Sequence, residues 1–141
     1  METPTTTMIT VESTINAPVA KVWAYWTKPE HITKWCAASD DWHTPTAEND
    51  LRVGGKFSSR MEAKDGSMGF DFWGIYDVVT TNDAIEYTMG DGRKATLSFI
   101  DKGDSTKIIE SFEAESTNPV EMQKGGWQAI LDNFKKYTEA N

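Results

Sequence analysis

Apolar and polar residues alternate along MITVESTI (Met8–Ile15), which puts Ile9, Val11 and Ile15 on one face and predicts a strand. The period then lengthens. In NAPVAKVWAYWTKP, residues Val19, Val22, Trp23 and Trp26 recur at helical spacing. Asn16 can cap this helix, Pro18 suits its first turn and Pro29 ends it. EHITKW predicts a further turn or short helix carrying Ile32 and Trp35. From Cys36 to Asn49 the chain reads as polar and irregular apart from Trp42.

The middle of the chain returns to a period of two. GGKFSSRMEA sets Phe57, Ser59 and Met61 opposite Lys56, Ser58, Arg60 and Glu62. After the turn KDGS come GFDFWGIYDVV, the turn TND, and AIEYTM with Ile85, Tyr87 and Met89 in phase. DGR turns into KATLSFID, where Ala95, Leu97 and Phe99 share a face, and KGDS leads to TKIIESFEAE. Short strands at regular spacing with polar turns predict an antiparallel meander. The closing segment predicts one long helix beginning near Asn118–Pro119, with Trp127, Ile130, Leu131, Phe134 and Tyr137 as its apolar stripe.

The expected order is therefore strand, two short helices, six or so strands and a long helix. It forms a single α+β domain over residues 1–141, with residues 1–7 flexible. A sheet with one apolar face can bury that helix, and a strongly curved sheet gripping it would enclose a cavity. Gly125 and Gly126 stand near the front of the helix, where each costs about 1 kcal/mol relative to alanine. They imply clearance, either for close approach to the sheet or for a guest.

Composition narrows the function. A net charge of −8 on 141 residues argues against a duplex-binding surface, so no nucleic-acid partner is expected. The single cysteine, Cys36, permits no internal disulfide and suits a reducing compartment. No basic, apolar leader opens the sequence and no apolar run reaches the length of a membrane span, so a cytoplasmic protein without membrane insertion is expected.

The segments INAPVAKVWAYWTKPEHITKW, VGGKF, FWGIYDVVTTNDAIEYT and GGWQAILDNFKKY, in this order, closely resemble the family named after the C-terminal domain of the activator of Hsp90 ATPase. That family sits within the START and Bet v 1-like (SRPBCC) superfamily, and the resemblance runs from about Ile9 to Tyr137. It implies a helix-grip fold, a curved antiparallel sheet of six or seven strands wrapped on the C-terminal helix. It also implies a hydrophobic small molecule held between sheet and helix, although one such fold hosts many functions. The chain departs from the family pattern at Trp73, where relatives commonly carry an arginine before the central glycine of that strand. It departs again in the last strand, which reads Ile108, Glu110, Phe112 where relatives run apolar and end near a histidine.

On this reading Phe57, Met61, Phe72, Tyr87, Leu97, Phe99, Phe112, Trp127 and Leu131 are candidate ligand-binding residues, with Phe70 sharing their phase. Trp35 and Trp42 are candidates for the cavity mouth or a partner contact. Glu110 is the candidate polar contact. Ile108 and Ile109 are both apolar, so the pattern leaves its face ambiguous, and the resemblance turns it inward. A carboxylate among aromatics would have a raised pKa or need a partner. Asp71, bracketed by Phe70 and Phe72, is expected to face outward.

Other chemistry has thin support. His31, Cys36, Asp40, Asp41 and His43 are metal-ligand types without paired spacing, so no metal is expected. Nothing orients Cys36 and His31 as a nucleophile and base, and VGGKF and KGGW lack a phosphate loop's ending. No catalytic residue or cofactor is assigned. Three functions stay open: a small-ligand binder, a protein-interaction module, and a cyclase- or hydrolase-type enzyme using Glu110, with Tyr87, as acid and base.

Overall fold

The computed structural model describes residues 7–141; the flexibility expected of residues 1–7 falls on residues 1–6, outside the described residues. The elements are β1 (Met8–Ile15), α1 (Val19–Thr27), α2 (Pro29–Trp35), β2 (Trp42–Asn49), β3 (Lys56–Ala63), β4 (Gly69–Thr80), β5 (Ala84–Met89), β6 (Lys94–Asp101), β7 (Thr106–Glu113) and α3 (Val120–Ala140). This is the expected order, although one strand lies where none was placed. The segment read as irregular contains β2, an edge strand that carries Pro45 and slips register between His43 and Thr46. Proline is tolerated at a sheet edge, and the slip destroys the alternation by which a strand is read.

All pairings are antiparallel, in the order β1-β7-β6-β5-β4-β3-β2. The meander β2 to β7 therefore runs from one edge inward, and β1 closes the other edge against β7. The seven strands curl into a half-barrel around α3. In β4, the longest strand, register shifts between Tyr76 and Val78, a bulge that bends the strand and deepens the curl. Close to this bend, Gly74 lets the Phe57 ring lie across β4, because a Cβ there would come within 2.7 Å of that ring.

The concave face is the core. On β7, every second residue from Thr106 to Phe112 is buried, and on β1 Ile9, Val11 and Ile15 are buried. At one end, α1 and α2 close the half-barrel. Trp23 meets Phe99 edge to face at 5.2 Å, and Trp26 and Trp35 meet Phe134 of α3 at 4.8 and 5.0 Å. Edge-to-face packing suits the ring quadrupole and adds to the area buried.

Polar links fix the helices to the sheet. Tyr76 Oη donates to Asn49 Oδ1 at 2.6 Å, and Asn49 Nδ2 donates to the Thr27 carbonyl at 2.6 Å, tying β4, β2 and the end of α1. Thr106 Oγ1 donates to the Ala17 carbonyl at 2.9 Å. The α3 start is held by buried Gln123, whose Nε2 donates to the carbonyls of Asn118 and Glu115 and whose Oε1 accepts from Glu115 N–H. Near the far end of α3, Glu139 accepts from Asn16 N–H at 2.8 Å.

Gly125 and Gly126 lie inside α3, and a Cβ at either would meet nothing within 4 Å. Of the two readings of this pair, close approach to the sheet is not the one realised: no contact there requires glycine. Open space adjoins them instead.

Candidate functional site

A cavity of about 300 Å³ lies between the sheet and the N-terminal half of α3. Its floor is built from residues one pleat apart on successive strands: Phe57, Ser59 and Met61 of β3, Phe70, Phe72 and Tyr76 of β4, Ile85 and Tyr87 of β5, Leu97 of β6 and Glu110 of β7. Trp26, Ile32, Trp35 and Cys36 close one end, and Trp127 and Ile130 of α3 form the roof.

The aromatic walls brace one another. Phe57 meets Tyr87 at 4.9 Å and Phe72 at 5.6 Å, both edge to face. Phe72 meets Trp127 at 6.0 Å, also edge to face, and Trp127 stacks on Phe112 at 3.7 Å. Each ring is held in place by a neighbour, so the cavity keeps its shape without a guest.

Of the expected wall residues, the structure brings Phe57, Met61, Phe72, Tyr87, Leu97, Glu110 and Trp127 together. Phe99, Phe112 and Leu131, expected in the same wall, do not line the cavity. Phe99 lies under the tryptophans of α1, Phe112 lies behind Trp127, and Leu131 is fully buried in the sheet–helix core. Strand alternation assigns a residue to a face; it does not say whether helix or empty space covers that part of the face.

Trp35 is a wall of the closed end rather than of the mouth; its Nε1 donates to the Tyr25 carbonyl at 2.9 Å. Trp42 does lie at the mouth. An outer vestibule lined by Trp42, Asn118, Met122 and Gly126 shares Met61, Phe70, Arg93, Glu115, Trp127 and Ile130 with the cavity. Phe70 is 49% exposed there and Met122 63%.

Glu110 faces the cavity, which resolves the ambiguity left by Ile108 and Ile109. It is 5% exposed, flanked across the sheet by Val11 and Leu97, and burial alone pushes its carboxyl up to about 8. No residue among those described donates a hydrogen bond to it or pairs with it. Burial likewise raises Tyr87, with the Glu110 charge as a further cause, and pushes the Cys36 thiol up to about 11. A thiol so held is a poor nucleophile. Asp71 faces outward, 3.5 Å from Arg60.

Sequence reasoning left out Arg93 and Glu115, which stand where the cavity opens. Arg93 belongs to the turn between β5 and β6, and Glu115 follows β7, so neither carries a strand-phase signal. The Arg93 guanidinium is held by Asp91 at 2.7 Å and by the Glu113 carbonyl at 3.1 Å. Trp26, Ile32, Ser59, Tyr76, Ile85 and Ile130 also join the wall. Trp26 and Ile130 carried helical-face signals, Ile32 and Ile85 core signals.

The candidate metal ligands serve other contacts. His31 shares a 2.7 Å hydrogen bond with Tyr137 and stacks on Tyr25, while His43 lies 3.9 Å from Glu62. Among the described residues no three His, Cys, Asp or Glu side chains gather as a metal-binding group, and no helix is long and apolar enough to cross a membrane.

A family model described as Activator of Hsp90 ATPase homolog 1-like protein matches residues 16–139. No curated protein sequence matches. Among solved structures, an AHSA1-like protein from Aeromonas hydrophila is 42% identical, with 95% of this chain and 93% of that one covered and a TM-score of 0.89. A protein from Cytophaga hutchinsonii is 61% identical over 94% of this chain and 92% of that one, with a TM-score of 0.81. One from Chromobacterium violaceum, 21% identical over 96% and 99% of the two chains, shares the fold with a TM-score of 0.85. The helix-grip architecture, the family match over most of the chain and the similarity to these solved proteins agree: the chain belongs to the Activator of Hsp90 ATPase homolog 1-like family.

Proposed function

We propose that this domain binds one small hydrophobic or amphipathic molecule between the curved sheet and α3. The observation that carries the reading is an aromatic-walled cavity of about 300 Å³ with a single buried, unpartnered carboxyl, Glu110, in its floor. Pockets for small ligands are typically ~300–1,000 Å³, mostly apolar, with a few polar groups that fix orientation. This cavity fits the lower end of that range. A buried carboxyl without a partner costs folding free energy, and a ligand group that completes it recovers part of that cost. Phe57, Met61, Phe72, Tyr87, Leu97 and Trp127 would contact the body of the ligand and Glu110 its polar group. The site performs binding rather than turnover in this reading, since burial holds Tyr87 and Cys36, the groups beside Glu110, in their neutral forms. The cytoplasm is the compartment we propose, in keeping with a lone cysteine.

The exposed apolar rim of Phe70 and Met122 favours a second reading, a protein-interaction module that docks on the vestibule. Native mass spectrometry of protein purified from its own host separates the two. A discrete co-purifying small molecule is the expected result. A clean apo mass, with no binding of a panel of apolar amines, alcohols and acids, overturns the ligand reading.

A further inference from the structure

We propose that the ligand is an organic ammonium ion: an amine on an aromatic or short aliphatic body, its nitrogen paired with Glu110 and its body against the aromatic wall. The inference rests on the ligand-binding reading above and adds the charge of the ligand to it.

Three observations point the same way. The ionisable groups that line the cavity, apart from phenols and the thiol, are Glu48, Glu110 and Glu115 against Arg93 alone. Arg93 is paired with Asp91 and bonded to the Glu113 carbonyl, so its charge is balanced before any ligand enters. The second observation is the wall itself. Trp26, Phe57, Phe72, Tyr87 and Trp127 surround the cavity, and aromatic faces attract cations, the more strongly when water is excluded. The third is Glu110, buried among these rings with an unfilled hydrogen-bonding capacity aimed at the space a guest would take. An alcohol could bond to the same carboxyl, but it would gain nothing from the ring faces or from the excess of negative charge. A carboxylate would meet the negative ring faces and the charges of Glu48 and Glu115, with only a hydrogen bond from protonated Glu110 to set against them.

The pairing also predicts proton release. With the site empty, Glu110 holds its proton at neutral pH. An ammonium ion draws it into the ionised form, and one proton leaves. The other titratable groups facing Glu110 are Tyr87 from β5, Tyr76 from β4 and Cys36 after α2, all raised and therefore neutral at this pH, with Glu48, Arg93 and Glu115 farther out. No titratable side chain of α3 lines the cavity.

The test is calorimetric titration of the full chain with 2-phenylethylamine, 2-phenylethanol and 3-phenylpropionate, and with octylamine, octanol and octanoate. Each is measured in two buffers of different ionisation enthalpy. At pH 8 each amine is expected to bind at least tenfold more tightly than its alcohol or acid. Between pH 6 and 7 amine affinity should rise about tenfold per unit, with nearly one proton released, since binding then requires deprotonation. Glu110→Gln should remove both the preference and the proton release while the alcohols still bind. If that variant fails to fold, proton release by the unaltered protein decides. An alcohol or acid binding as tightly as its amine, or amine binding without proton release, overturns the ammonium inference and leaves the apolar cavity standing. Silence across all six compounds overturns both.

Discussion

The two halves of α3 meet the same sheet on opposite terms. In the C-terminal half, Leu131, Phe134 and Thr138 are fully buried, and Phe134 lies against the rings of Trp26 and Trp35. In the N-terminal half, Met122 is exposed, Gly125 and Gly126 face open space, and Trp127 and Ile130 roof a cavity. One half is buried in the core; the other spans a cavity and touches the sheet through Trp127 on Phe112. The lesson is that apolar packing anchors this helix at its far end and Gln123 pins its start, so the turns between are released from the task of filling the core.

The largest test of that division is truncation of the anchor. Phe134→Ala should destabilise the protein by about 3–5 kcal/mol, as loss of a fully buried phenylalanine does. The matched truncation over the cavity, Ile130→Ala, should cost about 1 kcal/mol, because its contacts are incomplete already. Urea unfolding measures both, and equal losses would erase the distinction between the halves.

The next effect comes from Glu110 on the cavity floor. Its carboxyl titrates near 8 in the folded protein, against 4.5 as the ordinary value. Between these values the folded state holds a proton that the unfolded state has lost. The contribution of this group is therefore fully present below about pH 4.5 and declines until about pH 8, by on the order of 4 kcal/mol. Glu110→Gln should flatten that part of the stability profile and make the variant the more stable protein at pH 8.5. Unfolding curves at pH 5.5 and 8.5 check it, and an unchanged slope in the variant would refute the assignment.

The smallest effect sharpens the comparison by its sign. Gly126→Ala should stabilise the protein by about 1 kcal/mol, since alanine is the better helix former and its methyl group has room. Thermal unfolding reports it. A loss of stability would mean that the open half carries packing it does not display.

Much of the fold was legible in the chain. The period of two in β1, β3, β5 and β6 and the apolar stripe of α3 identify the elements, and four sequence segments in order identify the family. β2 escaped because Pro45 and the register slip erase its alternation. The site was legible by face and not by depth: Leu97 and Phe99 share a strand and a phase, yet Leu97 borders empty space while Phe99 lies under Trp23. Only the placement of α1 and α2 makes that difference. Arg93 and Glu115 reach the mouth from connecting segments, whose periodicity carries no signal.

The glycine pair has a consequence for rates. Two glycines in consecutive positions weaken the turns of α3 above the vestibule, between the two ties made by Gln123 to Glu115 after β7 and by Trp127 to Phe112. Once the Gln123 hydrogen bonds part, local opening can spread from the start of α3 while Leu131 and Phe134 hold the remainder, a partial unfolding cheaper than the global one. Exchange of a guest would be timed by fraying of the helix itself, with the backbone amides of Val120–Trp127 trading hydrogen for solvent deuterium on the same clock.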